Sequence, residues 1–143
     1  MIDILGFIKN NPNKLMTIQV WCYEAKFRFL IKFIPPKYLK KSFGIEGEES
    51  EGELTYEEYK YARRVSQYVN RSADNTPWES KCLVRALTAQ SFLKRKKIPS
   101  TLYLGVGKDE NDKMVAHAWI RAGAMYVTGG NGTGYAMVGK YRA

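Results

Sequence analysis

Thr101-Leu-Tyr-Leu-Gly-Val106, Lys108–Lys113 (KDENDK) and Met114–Arg121 (MVAHAWIR) read in order as a buried strand, a polar turn and a returning strand. Downstream, Ala122-Gly123 turns the chain into Met125–Thr128, Gly129–Gly134 (GGNGTG) forms a loop, and Tyr135–Tyr141 supplies a last strand. Upstream the period changes to that of helices. One helix runs through Cys82–Leu87, with Leu87, Gln90 and Ser91 carrying it to Phe92-Leu93, and Ile98-Pro99 ends it. Its start has two readings. A capping box from Thr76 to Glu79 puts Cys82 in the second turn, and a Ser80 cap puts it in the first. Another helix spans Thr55 to about Arg71, opened by a Thr55/Glu58 capping box, with Tyr56, Tyr59, Val65, Tyr68 and Val69 supplying a mostly inward stripe. Asp74–Pro77 breaks the chain between the two. Helices first and antiparallel strands after predict an α+β fold.

The N-terminal segment from Asn13 to Ile34 carries two apolar rows at helical spacing. One is Leu15, Ile18, Cys22, Ala25, Phe29 and Phe33; the other is Met16, Val20, Tyr23, Phe27, Leu30 and Ile34. Gln19 and Lys26 separate them on one side, and Thr17, Glu24, Arg28 and Lys32 on the other. Pro35-Pro36 stops the helix. Either the protein's own core covers both rows, or one is left for a partner groove or a membrane surface. In the second case Lys14, Lys26, Lys32, Lys37, Lys40 and Lys41 would face anions. The acidic stretch Phe43–Glu53 (FGIEGEESEGE) reads as an exposed linker. The expected organisation is a helical arm over 1–44, an acidic linker over 45–54 and a core over 55–143.

A chain of 143 residues has room for one domain with an arm. At 45% hydrophobic residues it can bury a core, which excludes wholesale disorder. Its net charge of +9 asks for an anionic partner. Nucleic acid is disfavoured, because the cations are dispersed, Lys94–Lys97 is a single short cluster and no recognition motif occurs. Cys22 and Cys82 are too far apart for a CxxC pair and too few for a disulfide scaffold. No apolar window reaches spanning length, and Met1-Ile2-Asp3 lacks a basic signal region. The default expectation is a cytoplasmic protein with reduced thiols.

Two residues carry candidate chemistry. His117 is the single histidine, and alternation puts it on one strand face with Trp119, while Ala116 and Ala118 face the other way. With no second histidine or cysteine cluster beside it, no metal site is expected. Cys82 lies at or near a helix start, with Lys81 before it and Arg85 one turn on. Thiols in such positions lose their proton more readily, because the positive end of the helix dipole favours thiolate. Taken singly, a buried structural cysteine and a satisfied histidine are the commoner outcomes. Cys22, mid-helix in an apolar row, reads as structural. Together, a cysteine at a helix start followed by a histidine on a strand is the order of papain-like and transglutaminase-like nucleophile–base pairs.

Trp78-x3-Cys82-Leu83-Val84-Arg85-Ala86-Leu87, Leu93–Pro99, Leu104-Gly105-Val106 and Ala116-His117-Ala118-Trp119-Ile120 resemble the leader peptidases of lasso-peptide biosynthesis. These are stand-alone transglutaminase-like (papain-like) cysteine proteases of the microcin-processing B protein family. The resemblance runs from about Trp78 to Val127 and weakly into the arm. It implies a Cys-bearing helix packed on a small antiparallel sheet, with no cofactor. The implied activity is removal of the leader from a ribosomally made precursor peptide. A small leader-recognition protein and an ATP-dependent lasso cyclase are the implied partners. Cys82 would be the nucleophile and His117 the general base. The family's orienting Asp falls at Gly129 here, and no acid follows His117. Asn131 is the nearest side chain able to accept a bond from the imidazole, with Thr128 or a backbone carbonyl as further choices. Asp109 and Asp112 precede the strand and are misplaced for that role. Trp78 and Trp119 read as core residues or as walls of the site, which makes them candidate substrate-binding residues as well. Transamidation by the same thioester chemistry, and a non-catalytic peptide-binding or scaffold subunit, are the alternatives.

Overall fold

The structure, a computed structural model, describes residues 14–50, 53–73, 82–108 and 110–143. Among the described residues, three long helices and a short helical turn at Pro36–Leu39 precede most of a five-stranded sheet. Helix α1 spans Lys14–Phe33, α2 Tyr56–Ala73 and α3 Cys82–Arg95. The strands are β1 (Ile45–Glu46), β2 (Thr101–Lys108), β3 (Met114–Ala122), β4 (Met125–Thr128) and β5 (Ala136–Arg142). They lie in the order β1-β5-β2-β3-β4, with every neighbouring pair antiparallel. The α+β expectation is met, with α3 against β3 and α1 and α2 against α3. The competing starts for α3, Thr76 and Ser80, lie outside the described residues, as do Trp78, Lys81 and Asp109.

Local signals account for the element ends. The Thr55 amide donates to Glu58 Oε1 at 3.0 Å, and the Glu58 amide to Thr55 Oγ1 at 3.2 Å, the reciprocal pair that a capping box requires. One apolar face of α2, from Ala62 and Val65 to Val69, is buried against the other helices and β4. In α3, Val84, Leu87, Phe92 and Leu93 enter the same core. The sheet's inner face meets them with Leu102, Ala118, Ile120, Ala122, Val127 and Tyr141.

The two rows of α1 part company. Met16, Val20 and Phe27 are buried, and Tyr23 and Leu30 pack against the core. Leu15, Ile18, Cys22, Ala25, Phe29 and Phe33 are all exposed. The protein's own core therefore covers one row as far as Leu30 and leaves Ile34 at its end, and the whole of the other row, exposed. Thr17 and Glu24, expected on a polar edge between the rows, are fully buried instead.

The acidic stretch is more than a linker. Glu46 to Glu49 are exposed, but β1 pairs with the end of β5 at Ile45↔Arg142 and Glu46↔Tyr141. Phe43 is buried edge-on to Tyr141, its ring 5.3 Å away, and its carbonyl accepts from Gln90 Nε2 at 2.7 Å. Ser50 is buried against Thr101, their hydroxyls 2.7 Å apart. Glu48 pairs with Arg142, and Glu49 with Lys140 and Arg121. Segregated cations on the sheet edge give these carboxylates partners, and the strap follows.

Candidate active site

Alternation along β3 sorts the site into two faces. Ala118, Ile120 and Ala122 point into the core beneath α3. His117, Trp119 and Arg121 point out of the opposite face. There the Trp119 ring stacks on Tyr103, with centroids 5.5 Å apart, and His117 stacks on Trp119 at 5.8 Å and on Tyr135 at 4.4 Å. Trp119 is 5% exposed. A Cβ on Gly105 would come within 2.7 Å of its ring, and one on Gly132 would collide with it. Of the two readings of Trp119, core or site wall, its burial fits the first: the ring is sealed among Tyr103 and the glycines and stacks on the histidine.

His117 Nε2 lies 2.7 Å from the Gly129 carbonyl oxygen. A carbonyl only accepts, so Nε2 carries the proton and Nδ1 presents a lone pair. The acceptor arises at the position of the family's Asp, from the backbone. Gly129 has φ +76°, and a Cβ there would run into the Ala118 carbonyl and lie 2.8 Å from Trp119 Cβ, so no larger residue fits. Ser66 Oγ and Asn70 Nδ2 on α2 donate to the Val127 carbonyl at 2.6 and 3.2 Å, which fixes the end of β4 just before Gly129.

Asn131 does not take the bond expected of it. Its Oδ1 accepts from the Thr133 amide at 3.0 Å and the Thr133 hydroxyl at 2.5 Å, closing a local turn on the surface. Thr128 is buried, and its hydroxyl makes no bond among the described residues. Asp112 sits in the β2–β3 hairpin, paired with Lys108 at 3.4 Å.

Cys82, half-buried at the first described position of α3, opens on a cavity of about 490 Å³. Its other walls are Leu83, Val84 and Ala116. Arg28, Ile31 and Lys32 of α1 complete it, a contribution from the arm that the sequence reading did not foresee. The cysteine thus meets β3 at the residue next to His117, while the imidazole projects from the other face of that strand. No hydrogen bond joins Cys82 to His117; each is placed, and the pair is not closed.

Behind the aromatic stack lies a polar network. Tyr103 accepts from Arg121 Nε at 3.1 Å and donates to Glu49 at 2.9 Å. Burial pushes the Tyr103 hydroxyl above its ordinary pKa. Hydrogen bonds from Lys140 and Tyr103 hold the Glu49 carboxyl below its own. Among the described residues, no three His, Cys, Asp or Glu side chains gather where a metal could bind.

The sequence model of the transglutaminase-like superfamily matches residues 40–140, which takes in the acidic strap, α2, α3 and nearly all of the sheet. No curated protein and no solved structure matches the chain.

Proposed function

This chain belongs to the transglutaminase-like superfamily, and from that premise we propose that it is a cysteine peptidase that removes the leader of a lasso-peptide precursor. The observation that carries the proposal is the imidazole held by the Gly129 carbonyl through Nε2, which leaves Nδ1 as a base on the strand that meets Cys82. Cys82 attacks the scissile carbonyl as His117 Nδ1 takes its proton. The imidazolium then protonates the leaving amine, and water hydrolyses the thioester. Amides at the start of α3 are the natural donors to the oxyanion. The Gly129 carbonyl stabilises the imidazolium through a neutral dipole, where the family uses a carboxylate. For this proton transfer the imidazole, which projects from the other face of β3, has to swing to the Cys82 side when peptide binds. A separate leader-recognition protein delivers the precursor, and an ATP-dependent cyclase consumes the released core.

The test is to incubate the protein with precursor and leader-recognition protein and to weigh the products. Free leader acid and free core amine are expected. An amine adduct of the leader would assign transamidation instead. A second reading, a non-catalytic peptide-binding subunit, is favoured by the open Cys82–His117 pair. Tight precursor binding without any cleavage would select it.

A further inference from the structure

We propose that the outer face of α1 docks on an anionic membrane surface. Leu15, Ile18, Cys22, Ala25, Phe29 and Phe33 form a ridge one side chain wide, about 27 Å long at helical rise, exposed among the described residues. Leu15, Phe29 and Phe33 are each at least 60% exposed, and the two phenylalanine rings lie 4.6 Å apart. Tyr38, past the end of the helix, is also exposed.

Charge decides between occupants. Between Asp3 and Glu46 the sequence has a single acid, Glu24, and that side chain is fully buried. Among the described residues of the arm the exposed charges are therefore cations, Lys26, Lys32, Lys40 and Lys41 among them. Lys32 lies over the Phe33 ring of the ridge and Lys41 over exposed Tyr38, while Lys26 lies over the Tyr23 and Phe27 rings of the inner row. Protein interfaces are depleted in lysine and build pockets around their anchors. A convex apolar ridge flanked by lysines matches the boundary between acyl chains and acidic headgroups. No helix among the described residues is long and apolar enough to cross the membrane, so the contact is lateral. Arg28, Ile31 and Lys32 line the Cys82 cavity from the same helix, and docking would hold its mouth beside the lipid.

The experiment is co-sedimentation of the full chain with phosphatidylcholine vesicles, either pure or with about 30% phosphatidylglycerol. Binding is expected only with the anionic lipid, and it should fall steeply between about 50 and 300 mM salt. Lys26→Glu and Lys32→Glu should each weaken it about fivefold or more. The double variant Phe29→Glu/Phe33→Glu should abolish it with the helical circular dichroism unchanged. Val138→Glu, at an exposed apolar site on β5, should bind like the wild type. Equal binding to both vesicles, no binding to either, or full binding by the double variant would overturn the proposal. So would a dimer that the double variant dissociates, because the ridge would then belong to a second copy of the chain.

Discussion

His117 Nε2 and the Gly129 carbonyl stand 2.7 Å apart, and this contact gives the histidine its tautomer without any acid in the segment that follows it. Side chains at that position are excluded by the backbone. Gly129→Asp, which would restore the family's residue on paper, should unfold or lose activity. The left-handed φ and the clash with Ala118 and Trp119 together should cost about 1–3 kcal/mol or more. Thermal denaturation of the variant checks this.

Asn131→Ala should leave leader cleavage within about twofold of wild type, because Asn131 bonds Thr133 and not the imidazole. Steady-state cleavage rates read this directly. A loss of a hundredfold would return Asn131 to the catalytic group.

Glu49 sets an acid limit on the strap. Its carboxyl is held below the ordinary glutamate value of 4.5, first by Lys140 and then by Tyr103. A carboxylate depressed in the folded state stabilises it above the unfolded value, and that contribution disappears as pH falls through the folded one. The melting temperature of wild type should therefore exceed that of Glu49→Gln at neutral pH. The gap should narrow as pH drops below about 4.5. A gap that stays constant with pH would remove the charge from the account.

Thr55→Ala should cost about 0.5–2 kcal/mol, since it deletes the acceptor for the Glu58 amide at the start of α2. Urea denaturation at fixed pH measures it.

How much of this was legible in the sequence depends on range. Helix and strand identities follow from local period, and the Thr55/Glu58 box fixes a boundary in both directions. The strap was not legible, because an acidic, glycine-containing run reads the same whether it is solvated or paired. Its partners Lys140 and Arg142 lie at the far end of the chain. In α1 the two rows are equally apolar, and only the packing of α2 and α3 selects Met16, Val20 and Phe27 for the core. At the site, Cys82 and His117 stand out as residue types. The acceptor for His117 is a main-chain oxygen, which no side-chain pattern announces. A backbone carbonyl was one of several acceptors the sequence left open, and only the fold selects that of Gly129.

The central claim is that Cys82 is the nucleophile and His117 its base, and the rate of leader release by Cys82→Ala, followed by mass spectrometry, tests it most directly. Loss of roughly 10³-fold or more against wild type is expected. Cleavage at the wild-type rate would contradict the account.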